Sequence, residues 1–380
     1  MDIGANVRYK SLLSCTENMT ESPESDLPLI DAFVAALSAV PDTTAHVVAR
    51  EEGNDAQARI DFVVEAKVAG KSLLMLVEAK QTAFPRDVRE AVWQLRAYQA
   101  HRPTNGRNQI IGFIIAEAIS PGARATLRTE GIGYFDKGGS LYVPASGAYV
   151  FIDRPQVKSK ARGLGAIFHG RKAQVLRAVF ERREDWVSVK DIAEASGVSP
   201  ATASKTLTEL ERRDWMQARG TGPAKLRRLS DASAMVDAWG RYLSAQKPPR
   251  PRRYFVPARE NDLTQRLART CEAHGVTYAV TGEAAAQIYA PYLSSVSQVS
   301  CRMMAGREAQ EALAALDARP VDGGWNLAVS EQKAPGDFAD TQTMDGVRLA
   351  SPLQVYLDLQ SGPGRAKELA EHLRRERLGV

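Results

Sequence analysis

The stretch ARIDFVVEAKVAGKSLLMLVEAKQ, residues 58 to 81, reads as two apolar strands folded about an Ala-Gly pair. With Ala69 and Gly70 as the two central residues of the turn, Val68 faces Lys71, and pairing continues outward until Asp61 stands opposite Glu78. Like charges facing each other across a hairpin destabilise it. Residues two apart on a strand share a face, so Lys80 joins the same cluster. A metal ion held by Asp61 and Glu78 reconciles the two carboxylates. Two other readings stay open: a one-residue slip pairs Asp61 with Ala79 and sends it to the other face, and Glu78 with Lys80 can be a plain surface ion pair.

At 380 residues the chain has room for two or three cores. It is 44% hydrophobic and 25% charged, and no apolar run approaches the roughly 18 residues of a membrane helix. The opening MDIGANVRYKSLLSCTENMTESPESDLP has no basic region followed by an apolar one, so no secretory signal is expected and the cytoplasm is the expected location. Cys15, Cys271 and Cys301 are too scattered for a disulfide framework or a structural zinc site.

Two polar, basic seams, DRPQVKSKARGLG (153 to 165) and SAQKPPRPRR (244 to 253), divide the sequence into roughly 1–155, 166–246 and 254–380. The expected fold is multidomain α/β. In the first segment the hairpin is followed by a helical pattern through Val88, Ala91, Val92, Leu95 and Tyr98, then by the apolar run QIIGFIIAEAI, which suits a strand buried on both faces. A mixed sheet flanked by helices results. The middle segment carries the charge: residues 156 to 230 hold 16 Lys and Arg against 8 Asp and Glu, and this excess of +8 within a whole-chain +5 leaves −3 for the remainder. A localised basic excess is the footprint of a polyanion partner, which the helix-turn-helix reading below makes double-stranded DNA, although a solvated basic surface has the same composition.

In that segment SVKDIAEASG begins with a Ser188 cap, has Asp191 in capping-box position and ends in a glycine. SPATASKTLTELERR follows with Ser199 as cap and Pro200 at the first helical position. Helix, tight turn and helix match the helix-turn-helix, whose second helix enters the major groove. On that helix Ala203, Leu207 and Leu210 form a core stripe and leave Thr202, Ser204, Lys205 and Thr208, with Ser199 at its head, as groove-reading candidates. The hairpin over 215 to 230 adds Arg219, Lys225, Arg227 and Arg228 as candidate phosphate contacts. This segment resembles the winged helix-turn-helix superfamily of bacterial regulators.

Asp61, Glu78 and Lys80 resemble the D…ExK signature of the PD-(D/E)XK, or restriction-endonuclease-like, superfamily over roughly residues 30 to 150. Gln94 and Tyr98, one helical turn apart, resemble the QxxxY motif of its exonuclease-type members. The resemblance implies a Mg²⁺-dependent phosphodiesterase site in which Asp61 and Glu78 hold the metal and Lys80, Gln94 and Tyr98 complete the catalytic set. Ile60 stands where the strict motif has proline.

In the last segment YAVTGEAAAQIYAPYL resembles the strand, glycine turn and helix that open a nucleotidyltransferase-like domain. The family's Gly-Ser pair is Gly282-Glu283 here, and SQVSCRMMAG has none of the metal-binding acids, so an inactive α+β domain is expected. VRLASPLQVYLDLQSGPGRAKELAEHLRRE is similar to the C-terminal part of AbiEi-type antitoxin regulators of type IV toxin–antitoxin systems. That resemblance implies a sequence-specific transcriptional regulator, a homodimer partly through 254–380 and a cognate toxin as partner. A Mg²⁺-dependent endonuclease targeted by its winged helix is the alternative, and a protein that only neutralises a toxin is a third.

Overall fold

The computed structural model describes residues 27–52, 60–101, 108–154, 165–246, 250–257, 263–293, 296–362 and 364–380. Cys15, the opening stretch read for a signal and most of the first seam lie outside them. The fold is multidomain α/β with two seven-stranded mixed sheets and a two-stranded wing. The chain divides into two compact units, one made of 1–81, 91–117 and 127–155, the other of 82–90, 118–126 and 156–380.

Up to Ile152 the elements follow the order α1 (Leu27–Ser38), β1 (Thr43–Glu52), β2 (Ile60–Val68), β3 (Lys71–Ala83), α2 (Pro85–His101), β4 (Gln109–Ile119), α3 (Pro121–Thr129), β5 (Gly133–Asp136), β6 (Leu141–Ala145) and β7 (Ala148–Ile152), of which the start of α2 and most of α3 belong to the second unit. The strands lie in sequence order, antiparallel from β1 to β3, parallel between β4 and β5, and antiparallel again to β7. The hairpin turn has Ala69 at φ 45° and Gly70 at φ 80°, two successive left-handed residues that match the right-handed twist of the strands. Its register runs from Val68 opposite Lys71 to Phe62 opposite Val77. Leu29, Ile30, Phe33 and Leu37 of α1 cover one sheet face, where Phe33 meets Phe113 and Phe135 with ring centroids 4.6 and 5.6 Å apart. On α2, Ala91, Val92 and Leu95 are buried, and a Cβ on Gly112 of β4 would lie 3.4 Å from the Leu95 side chain.

In the second unit, one hydrophobic core runs from Ile167 to Leu378. The segments expected as 166–246 and 254–380 therefore share a core. The helices α4 (Gly170–Glu181), α5 (Val189–Ser196) and α6 (Pro200–Arg212) precede β8 (Met216–Arg219), β9 (Leu226–Leu229) and α7 (Ala232–Ala245). Ser188 and Asp191 close the capping box on α5, and Gly197 at φ 64° ends it in the left-handed conformation that a residue with a Cβ avoids. Ser199 caps α6, with Pro200 next. Phe168 stacks between Trp215 and Trp239 at 6.2 and 5.8 Å and ties these helices to α7.

The remainder of this unit is β10 (Arg252–Phe255), α8 (Leu263–Ala273), β11 (Tyr278–Thr281), α9 (Gly282–Tyr289), β12 (Val299–Met304), α10 (Arg307–Ala315), β13 (Arg319–Pro320), β14 (Leu327–Gln332), β15 (Gln342–Met344), β16 (Val347–Leu349), α11 (Pro352–Gln360) and α12 (Ala366–Leu373). Its sheet runs β13-β10-β14-β12-β11-β16-β15. Cys271 and Cys301 are buried as free thiols, and burial pushes the Cys271 thiol up to about 12.

The junction 82–90 between β3 and α2 belongs to this second unit, where it meets the C-terminal end of α6. Arg212 donates to both oxygens of Asp87 at 2.7 and 2.9 Å and to the Thr82 carbonyl at 3.1 Å. Arg89 grips Asp214 through two bonds of 2.5 Å, and the Arg213 guanidinium lies 4.4 Å from the Phe84 ring centre. Bidentate pairs of this kind fix orientation as well as adding energy.

Candidate functional site

In the first unit, β2 and β3 carry the candidate acids. The β2–β3 ladder runs outward to Phe62 opposite Val77, and Asp61 and Glu78 are the next residues along the two strands. Glu78 is only 8% exposed, whereas Asp61 is half-buried. The Lys80 ammonium donates to Glu78 Oε1 at 2.7 Å, and the Ala79 amide donates to Asp61 Oδ2 at 2.8 Å. Asp61 is thus held by the backbone of the strand that bears Glu78 and Lys80. Gln94 and Tyr98 are half-buried on α2, four residues apart and so on one face. Among the described residues no group of three or more His, Cys, Asp and Glu is placed to hold a metal. A donor set of two carboxylates still suits Mg²⁺, which takes one or two from protein and keeps several waters.

In the second unit, α6 carries the candidate reading residues. Ala203, Leu207 and Leu210 face the core. Lys205 and Thr208 are exposed and Ser204 is half-buried. Ser199 and Thr202 are committed to the helix start: Ser199 Oγ accepts the Thr202 amide at 3.3 Å and lies 2.9 Å from Thr202 Oγ1. That leaves Ser204, Lys205 and Thr208 as the side chains α6 offers outward.

The wing corrects the expectation of four equivalent phosphate contacts. Arg227 is 5% exposed and donates through Nε to Glu211 Oε1 at 2.5 Å, and Lys225 donates to Glu211 Oε2 at 2.8 Å. Glu211, itself 3% exposed, also takes Arg86 at 3.1 Å. Burial alone would raise the Glu211 carboxyl, but the hydrogen bonds from Lys225 and Arg227 outweigh it and hold the group below its ordinary 4.5. Arg227 and Lys225 are therefore structural cations. The reason is alternation: Arg227 and Arg228 are adjacent on a strand and must point to opposite faces. Arg228 emerges on the outer face, where its guanidinium lies 5.1 Å from the Trp186 ring centre, and Arg219 lies 4.3 Å from the same ring.

Trp186 was not among the sequence candidates. Val187 exchanges backbone hydrogen bonds with Arg227 at 2.8 and 2.9 Å, an isolated bridge that holds it alongside β9. An aromatic residue just ahead of a Ser cap, within a basic segment, was the available signal.

Residues 170–220 match the IclR helix-turn-helix domain. No curated protein matches the chain. Among solved structures, a repair endonuclease from Pyrococcus abyssi is 18% identical, with a TM-score of 0.24, over 32% of this chain and 49% of that one. A chain described as the structure of an EndoMS-dsDNA2 complex is 12% identical, with a TM-score of 0.22, over 37% of this chain and 51% of that one. The chain spans about half the length of either. What the sequence and geometry together establish is a DNA-binding helix-turn-helix of the IclR type, set within a larger α/β chain.

Proposed function

We propose that the chain is a sequence-specific transcriptional regulator of duplex DNA, of the AbiEi-antitoxin-like kind that residues 347 to 376 resemble, and that its nuclease-like first unit accompanies this role. The observation that carries the reading is α6: a capped helix with a sealed apolar side and an outward row of Ser204, Lys205 and Thr208. Side chains of these types read base edges when the helix lies in the major groove. In this reading residues 254 to 380 are a catalytically inert, nucleotidyltransferase-like scaffold that pairs two copies across an operator, and a toxin is a further protein partner. The protein works in the cytoplasm. Gel shifts against fragments of its own upstream region test the reading: one fragment bound in excess competitor supports it, and equal affinity for all fragments rejects it.

A second reading, metal-dependent cleavage, is favoured by the Asp61, Glu78 and Lys80 grouping. Asp61 and Glu78 would hold Mg²⁺, which supplies a bound water of lowered pKa. Lys80, already hydrogen-bonded to Glu78, would steady charge at the phosphate. Plasmid nicking in Mg²⁺, Mn²⁺ or chelator decides the matter: loss of nicking in Asp61→Ala with retained gel shift supports cleavage by this site, and no nicking by wild type in either metal rejects it for naked DNA.

A further inference from the structure

Among the cations of the wing, two have a different fate from the rest. Lys225 and Arg227 are both paired with Glu211. Among the described residues, Arg219 and Arg228 are paired with no carboxylate, and both guanidiniums are drawn to the face of one indole, Trp186, at 4.3 and 5.1 Å. Their placement follows from strand register. Gln217 is opposite Arg228, so Arg219, two residues on, shares its face. Val187 is bridged to Arg227, so the preceding Trp186 stands with Arg228 on the outer side.

Two like charges on one small surface repel, and a polar side chain of this length loses rotamer freedom when it is fixed. An aromatic face offsets part of both costs, because its negative quadrupole attracts each guanidinium while the flat ring restricts where it can lie. What results is a pair of uncompensated cations held in place before any partner arrives. A partner that benefits must be anionic, extended and able to meet two charges at once, which describes a nucleic-acid backbone.

We infer that Trp186 is a positioning residue that pre-organises Arg219 and Arg228 as a two-pronged, sequence-independent clamp on the DNA backbone. The inference rests on the DNA-binding reading above and adds a residue whose contribution is made through its neighbours. Pre-organisation lowers the entropy lost when side chains are immobilised on binding, and it does so without changing how many phosphates are neutralised.

The test uses the full-length protein and a mixed-sequence duplex, since the contact reads no bases, with affinity followed as salt rises. Arg219→Ala with Arg228→Ala should flatten the logarithmic salt dependence by about two units. Trp186→Ala should weaken binding about tenfold with the slope retained, and Trp186→Phe should restore most of the loss. In the double-arginine background, Trp186→Ala should add nothing. Thermal unfolding of each variant separates a binding loss from a folding loss, and the Phe variant preserves the packing. Wild-type affinity in Trp186→Ala, or a further tenfold loss in the double-arginine background, overturns the inference and leaves DNA binding standing. Failure of the wild-type protein to bind any duplex overturns the DNA-binding reading and the inference with it.

Discussion

In the β2–β3 hairpin, Glu78 and Lys80 are two residues apart and meet at 2.7 Å on one face. In the wing, Arg227 and Arg228 are one residue apart: the first is buried against Glu211 and the second lies outside against Trp186. The same alternation gathers charge in one place and divides it in the other. A charged residue on a strand therefore acquires its role from the parity of its position as much as from its type. In the hairpin, parity brings Lys80 onto Glu78. In the wing it separates a cation spent on stability from one available to a partner.

The largest test of that division is Glu211→Ala. It strips the counter-charge from Lys225 and the buried Arg227, and denaturant unfolding should show a loss of about 3 kcal/mol, since an unpaired buried ion is costly. A loss no larger than that from Arg228→Ala would mean the two faces of the wing are energetically alike.

Acid sharpens the same point. The Glu211 carboxyl is held below 4.5 in the fold, so its contribution is fully present above that pH and is lost as pH falls through the folded value. Melting curves should therefore show wild type more stable than Glu211→Gln near neutrality, with the gap closing below about pH 4.5. A gap that widens in acid would reverse the assignment.

Under the proposed reading of α6, Lys205→Ala should narrow the difference between the preferred and a random sequence by about 1–3 kcal/mol, as for a lost base contact. Arg228→Ala should lower affinity for all sequences equally, which competition gel shifts distinguish. The smallest effect lies in the hairpin turn. Ala69 sits at φ 45°, where a Cβ is strained, and Ala69→Gly should raise stability by about 0.5 kcal/mol in denaturant titration.

Local signals in the sequence carried far. The turn at Ala69-Gly70 set the hairpin register, because a two-residue loop leaves only one way to pair the flanking strands. Ser188 with Asp191, and Ser199 with Pro200, marked two helix starts because caps satisfy amides that the helix itself leaves open. The sequence did not reveal that Glu211 would be buried among three cations, since Arg86 reaches it from 125 positions away. Nor did it reveal the order of the second sheet, where β10 lies between β13 and β14. Such pairings depend on how distant segments return to one another, and composition or spacing carries little of that information. Arg227 and Arg228 are different: the period of two that sets Lys80 beside Glu78 also sends these neighbours to opposite faces, and it is legible in the sequence.

The buried thiols of the second unit have a practical consequence. Cys271 and Cys301 lie in one core, shielded from solvent, and burial makes their reactive thiolate scarce. A thiol reagent reaches them only when that core opens. Their labelling rates, followed peptide by peptide, form a clock for its breathing. Equal rates at the two positions would mean that the core opens as one piece, and adding DNA would show how much the bound state slows it.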